Sequence, residues 1–299
     1  MANRRVLVKR RKSIRNIRKI TRTMQLIATA RFQAAYNRAV ATKPYNEKLA
    51  ELVADLSAAA QASGGVEHPL LKENDANKTA LVAITSTRGL CGGYNASVLR
   101  VAIDHLDAQE NAGHQVDVHM AGKKGISYFR FLKRPMVEQI TNVGDVPRFD
   151  QVEPIANALM ESFIKGEISA AYVSYMKFVS TGTQRPVVVQ LLPLARKTSE
   201  NTEGETAAAV SAPAGQVEFS PEPQKLLDSL LPASVRVQLF QAFTDAVVSE
   251  QVARMVAMKA ATDAAGDMIK SLTREYNRAR QTAITMELLD IVGGANALA

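Results

Sequence analysis

Tryptophan is absent from this chain, cysteine occurs once, and aromatic residues make up only 5% of it. The lone Cys91 permits no internal disulfide and suits a reducing compartment. Four histidines, His68, His105, His114 and His119, show no zinc-ligand spacing with it or with one another. Long apolar runs are missing as well. Thr79–Thr85 and Val187–Leu194 are strand-length, far short of the ~18 residues a membrane-crossing helix needs. No secretory signal with a continuous apolar core is expected. Acid is nearly missing from the first 48 residues, which hold 14 Lys+Arg against Glu47 alone, a net of +13. The whole chain carries +8, so the remainder carries −5. Such asymmetry calls for an acidic partner of the N-terminal segment: nucleic acid, an anionic membrane or an acidic protein surface.

Proline and glycine are also scarce at the C-terminal end. From Ala233 to Val292 there is no proline and one glycine, Gly266. These residues predict a helix of roughly 90 Å, too long to be stable without a partner along it. Its inner positions read as small: Ala253, Ala257, Ala260, Ala261, Ala264 and Ala265. Asn3–Ala62 predicts a second long helix. Its seam reads as Ile17, Ile20, Met24, Ile27, Arg31, Ala34, Arg38, Ala41, Tyr45, Leu49, Leu52 and Leu56, in alternating steps of three and four. Pro44 predicts a kink or a freed carbonyl, Gly64-Gly65 a stop, and Pro232 a break before the second rod. Two rods at opposite ends of the sequence, each with one apolar or small stripe, predict an antiparallel coiled coil with a domain inserted between them.

That middle has a different pattern. Thr79–Thr85 is a buried strand, Ser86–Asn95 a glycine-rich turn and Ala96–Asn111 a helix. Strands follow at Val116–Ala121, Met136–Thr141, Ala170–Val179 and Pro186–Leu194, the last two as a hairpin, with helices at Lys123–Leu132 and Val152–Ile164. The expected class is α/β: a long antiparallel coiled coil of the N- and C-terminal helices with an inserted small Rossmann-like α/β domain. Its divisions are 1–62, 63–195, a mobile loop at 196–223, and 224–299.

Ser86-Thr-Arg-Gly-Leu-Cys-Gly-Gly-Tyr-Asn sits between a strand and a helix, where α/β proteins cradle phosphate. It matches neither dinucleotide nor P-loop spacing and has no lysine for a phosphate. A tight turn requiring positive φ is the plainer reading, and a loop presented to a partner with Arg88 at its tip is a third. No base is in evidence to activate Cys91 as a nucleophile. For the basic N-terminus, a presequence would remove half of the coiled coil, and nucleic-acid binding lacks aromatic interleaving. Docking to an acidic protein explains the charge and keeps the helix. A coiled coil that docks on an acidic protein, a basic nucleic-acid-binding coiled coil and an α/β enzyme with coiled-coil arms remain as functions, the last without a catalytic constellation.

Lys19-Ile-Thr-Arg-Thr-Met, Arg88-Gly-Leu-Cys-Gly-Gly-Tyr-Asn, Gln190-Leu-Leu-Pro-Leu, Ser249–Asp263, Tyr276-Asn-Arg-Ala-Arg-Gln and Ile291-Val-Gly-Gly-Ala, in that order, resemble the gamma subunit of F-type ATP synthases. The resemblance implies a non-catalytic rotary shaft inside a hexamer of three α and three β subunits. It also implies contacts with the epsilon subunit and the c-ring, and coupling of ion flow to the catalytic cycle in β. Carried over, Met24 resembles the position facing the acidic lever loop of β, and Arg254 an arginine that supports coupling on the opposing helix. Ser86, Arg88 and Cys91 are similar to a turn abutting that lever. Arg280 and Gln281 resemble a polar pair that catches a β loop, with Thr285 and Glu287 beside it. Foot contacts with the c-ring would fall near Glu218–Glu222. No cofactor, metal or nucleic acid is expected, and the location implied is peripheral, on the cytoplasmic face of a bacterial inner membrane.

Overall fold

In the computed structural model, residues 4–62, 68–194 and 223–297 are described. The element order is α1 (Arg4–Ala62), β1 (Lys78–Ile84), α2 (Tyr94–Asn111), β2 (Gln115–Ala121), α3 (Lys123–Phe131), β3 (Glu138–Ile140), α4 (Phe149–Ile164), β4 (Ala170–Phe178), β5 (Gln184–Leu192) and α5 (Pro223–Ala297), with a short 3-10 turn at Pro69–Leu71. The expected Gly64-Gly65 stop, the Arg196–Pro221 loop and the Glu218–Glu222 foot lie outside the described residues. So does the side chain of Leu56.

These elements form two compact units. One comprises residues up to Arg31, Leu90–Gly92, and the chain from Gln251 onward. The other comprises Phe32–Gly89 and Gly93–Glu250.

The second unit is built on a five-stranded sheet in the order β3-β2-β1-β4-β5. β1 pairs in parallel with β2 and β4, β2 with β3, and β5 closes the edge antiparallel to β4. Continuous apolar sequence in β1 follows from burial on both faces, since Ala80–Ile84 are all at most 4% exposed. Leu99, Ala102 and Leu106 of α2, with Ile126 and Phe129 of α3, cover one face. Val152, Ala156, Leu159 and Phe163 of α4, with Leu227–Ala246 of α5, cover the other. Pro186 is tolerated because β5 is an edge strand.

Pro232 does not break α5, which runs unbroken from Pro223 to Ala297. Proline inside a helix costs ~3 kcal/mol. Complete burial of Leu227, Leu231, Val235 and Leu239 on one stripe offsets this. Pro44 is likewise carried within α1.

In the first unit, α1 and α5 pair antiparallel. Thr262 Oγ1 donates to Thr21 Oγ1 at 2.8 Å, and the Arg11 guanidinium stands 5.0 Å over the Tyr276 ring. Gly266 lies 3.8 Å from the Arg18 guanidinium, measured from where its Cβ would be. The seam differs from the one expected. The inward positions of α1 follow a strict heptad: Leu7 and Ile14, then Thr21 and Ala28, continued in the second unit by Ala35, Thr42 and Leu49. Ile17, Ile20 and Ile27 are 49%, 59% and 49% exposed, on the outside. On α5 the seam is Met258, Thr262 and Ala265, then the half-buried Ile269, Leu272, Tyr276 and Ala279. Ala260 and Ala264, expected inside, are exposed, whereas Ala253, Ala257 and Ala261 are half-buried. The reason is that the true seam is small and polar where it matters. Thr21, Ala28 and Thr262 carry little apolar signal, while strongly apolar isoleucines lie on the outer surface and dominate the periodicity.

Candidate partner-binding surfaces

The first surface is a groove along the α1–α5 pair. Its hollow of about 1030 Å³ is lined by Lys12, Arg15, Arg18, Lys19 and Arg22 of α1, with Asp263 as the one acid. The cations recur every three or four residues because one face of a helix repeats at that interval. None of the five makes an ion pair among the described residues. Arg22 Nη1 only donates to Gln25 Oε1 at 3.1 Å. Five like charges against a single lining acid repel on balance, so the face gains by meeting an acidic surface. Met24, half-buried, sits beside this row. The groove was invisible as a unit in the sequence. Only the net charge of the segment signalled it, because the partner helix that completes it lies some 240 residues away.

The second surface is the end of α5. Every residue from Arg280 to Asn296 is exposed. Arg280, Gln281, Thr285 and Glu287 all lie here, and the Thr285 hydroxyl bonds back to the Gln281 carbonyl at 3.0 Å. Among them stand Ile284, Met286, Leu288, Leu289, Ile291 and Val292, between 45% and 64% exposed. Apolar residues on all sides of one helix, with no covering element among the described residues, mark a candidate interaction surface.

The Ser86–Asn95 turn is organised differently. Ser86 is fully buried, its N–H donating to Asn95 Oδ1 at 2.9 Å and its hydroxyl to the Arg88 carbonyl at 2.6 Å. Arg88 is exposed and pairs with Asp145 at 3.4 Å. Leu90 adopts φ 63° and Gly92 φ 58°, so positive φ is indeed required here. Leu90 is 60% exposed, a β-carbon residue held in a conformation that favours glycine. Cys91 is 2% exposed, and Arg254 is 7% exposed. Ser86, Cys91 and Arg254 are therefore inward-facing side chains, while Arg88 and Leu90 are the outward ones of this group.

In the turn after β1 the Ser86 amide is already taken by Asn95 Oδ1, and the amides that open α3 after β2 are also used: Lys124 N–H donates to the Ser86 carbonyl at 3.1 Å and Gly125 N–H to Thr85 Oγ1 at 3.0 Å. A Cβ on Gly122 would lie 2.1 Å from the Thr85 carbonyl oxygen, so the turn is closed by backbone contact. The crevice at the C-terminal strand ends holds only about 30 Å³, because Phe243, Ala246 and Glu250 of α5 line it. Small-molecule sites run to ~300 Å³ and more.

Three of the four histidines are engaged within the fold. His68 Nδ1 accepts from Leu70 N–H at 3.1 Å, His119 Nδ1 meets Glu138 at 2.9 Å, and His105 stands edge-on to Tyr172 at 4.4 Å. Burial holds His105 below the ordinary histidine value. In the sheet unit a polar chain crosses from α1 to α5. Asn46 Nδ2 donates to Gln241 Oε1 at 2.6 Å, and Gln241 Nε2 to Asp245 Oδ1 at 2.8 Å. Burial pushes Asp245 up to about 6, against the Gln241 hydrogen bond and the nearby Lys177 charge. Among the described residues no cluster of three or more His, Cys, Asp or Glu side chains is placed to hold a metal ion.

A mixed sheet with two long helices from the ends of the chain, one of them bare at its end among the described residues, is the architecture of this chain. The family model described as ATP synthase matches residues 3–298. The chain is 45% identical to the ATP synthase gamma chain of Rhodopirellula baltica over 300 residues, covering 100% of this chain and 99% of that one. It is 41% identical to the ATP synthase gamma chain of Dehalococcoides mccartyi over 302 residues, covering both fully. The chain belongs to the ATP synthase gamma-chain family. Its fold is similar to chains in two solved assemblies. One is the OSCP/F1/c-ring structure of the Euglena gracilis mitochondrial ATP synthase, with TM-score 0.65, 15% identity, and coverage of 99% of this chain and 94% of that one. The other is the central stalk/c-ring structure of the Tetrahymena thermophila enzyme, with TM-score 0.58, 22% identity, and coverage of 81% and 99%.

Proposed function

We propose that the chain is the rotary central-stalk subunit of an ATP synthase, coupling ion flow through a c-ring to the conformational cycle of catalytic β subunits. The observation that carries this is the α5 end, a helix with apolar residues exposed on every side and nothing among the described residues to cover it. A surrounding collar of three α and three β subunits supplies the cover, with the exposed leucines and isoleucines as the bearing surface. The unneutralised cations from Lys12 to Arg22 face acidic loops of β. Met24, Arg88, Arg280, Gln281, Thr285 and Glu287 are contact positions, and Ser86, Cys91 and Arg254 act from inside by holding the turn and helix in shape. The subunit is non-catalytic; ATP chemistry belongs to its partners. The epsilon subunit and the c-ring are its remaining neighbours. It is held peripherally at the cytoplasmic face of a bacterial inner membrane, and no helix among the described residues is long and apolar enough to cross one.

The test is co-expression with α and β subunits, followed by ATP-driven proton pumping. The wild-type chain is expected to co-purify in a 3:3 assembly and to pump. With Leu288→Asp and Leu289→Asp together, the chain should fold unchanged but lose assembly or coupling, since two charges then meet an apolar collar. Normal coupled synthesis in that variant would overturn the bearing role. Tight, steeply salt-dependent RNA binding without assembly would instead favour the nucleic-acid reading.

A further inference from the structure

An apolar hollow lies in the sheet unit where α1 and α5 run side by side. Its walls are Ala35, Ala41, Pro147, Phe240 and Val247, and its volume is about 220 Å³. A second hollow of about 290 Å³ adjoins it, sharing Ala41, Thr42 and Phe240 and extending to Tyr45 and Phe149. Phe149 and Phe240 meet edge to face at 5.7 Å and form a rigid aromatic floor.

The polar groups of these walls are almost all used internally. The Thr42 hydroxyl donates to the Ala39 carbonyl at 3.1 Å and the Thr244 hydroxyl to the Phe240 carbonyl at 3.0 Å. Asn46 is bonded to Gln241 at 2.6 Å. Arg236 is held by Asn157 at 2.7 Å, with Glu153 at 3.7 Å. Arg38 differs: it lines the first hollow, is exposed, and no carboxylate among the described residues pairs with it. No acidic side chain lines either hollow.

We infer that this groove binds a free anionic amphiphile of the long-chain carboxylate class. The carboxylate takes the Arg38 guanidinium, whose fork matches its two oxygens. The alkyl chain lies over Ala41 and Phe240 toward Phe149 and Tyr45. Two adjoining apolar hollows with Arg38 as the one lining cation that has no carboxylate partner among the described residues, Arg236 being held by Asn157 and Glu153, fit a singly charged head and a linear tail. It does not suit a nucleotide, which needs several polar contacts to its base and phosphates. A bound chain would bridge α1 and α5, and so stabilise their pairing in this unit.

The probe is the fluorescent fatty acid cis-parinaric acid, titrated into the full-length chain, with laurate and its uncharged analogue dodecanol as competitors. One saturable site is expected. Arg38→Gln should weaken parinarate and laurate roughly tenfold, the loss typical of a charge-assisted hydrogen bond, and leave dodecanol unchanged. Ala41 is exposed, so Ala41→Phe should fill the trough without unfolding the chain and abolish binding of all three. Circular dichroism melts confirm that both variants remain folded. Equal parinarate affinity in Arg38→Gln, or binding that survives Ala41→Phe, would overturn the proposal, because the amphiphile would then be sitting elsewhere, such as on the apolar end of α5.

Discussion

The same helix behaves in two ways along its length. Up to Glu250, α5 buries Leu227, Leu231, Val235, Leu239 and Phe243 at 2% exposure or less against a sheet. From Gln251 onward it still buries Val252, Arg254, Met258, Thr262 and Ala265, but every described residue from Arg280 to Asn296 is exposed. Helix α1 shows a parallel difference: Phe32 and Tyr36 stack with Phe178 in the sheet unit, whereas Ile17, Ile20 and Ile27 lie bare in the other. The first half of α5 gains its stability from its own chain. The second half leaves apolar surface uncovered among the described residues, the surface that the proposed function gives to a collar of other subunits. Such a segment is stable only in proportion to its partners.

The comparison is most easily broken in the anchored half. Leu239→Ala should cost ~3–5 kcal/mol, since the side chain is fully buried and the sheet cannot collapse onto the gap. Urea unfolding of the full chain measures it; a loss under 1 kcal/mol would mean that α5 is not anchored by this stripe.

A smaller change acts through Asp245. Its carboxyl is raised from 3.8 to about 6 in the folded chain, so the folded state holds its proton more tightly than the unfolded state. Stability from this group is therefore fully present below pH ~4 and is lost as pH rises through about 6. Asp245→Asn should recover about 2 kcal/mol at pH 7.5 and flatten the pH dependence between 4 and 6. Denaturant midpoints across that range check it, and a wild-type profile that stays flat there would contradict the burial of the charge.

In the thin half, Thr262→Val removes the hydroxyl that bridges to Thr21 and should cost about 1 kcal/mol. The double variant with Thr21→Val should recover most of that loss, because no buried hydroxyl is then stranded. Additive losses in the double-mutant cycle would show that the two hydroxyls are not coupled.

The smallest effect on the fold is expected at Ala260. It is exposed, so Ala260→Leu should change stability by less than about 0.5 kcal/mol. The added side chain enlarges the outer surface of α5, and its effect should appear instead as slower assembly with α and β. Normal assembly rates would place this side of the helix away from the collar.

The sequence was most legible where burial is two-sided or strictly periodic. Continuous apolar runs identified β1 and β4, and the β4–β5 hairpin was visible from its Ser180–Gln184 connection. The two long helices were visible from the scarcity of proline and glycine. The coiled-coil seam was not. Its inward residues Thr21, Ala28 and Thr262 are small or polar, and outward isoleucines imitate a core stripe. Pro232 was misleading because local propensity takes no account of the sheet that holds the helix through it. Arg88, Arg280, Gln281, Thr285 and Glu287 are on the surface as a contact role requires, but burial of Ser86, Cys91 and Arg254 depends on which elements fold over them.

The sequence alone determined the composition of the parts: a basic, acid-poor first helix, a small α/β middle and an alanine-rich last helix. Local chemistry suffices for this, because charge, helix propensity and strand-length apolar runs are properties of neighbouring residues. Only the tertiary structure decided which face of each helix is buried and that five cations share one groove. It also decided that α5 fills the crevice where other α/β folds hold a ligand. Those outcomes depend on pairing residues some 240 positions apart, and no local pattern specifies such a pairing when the contacting side chains are threonine, alanine and glycine.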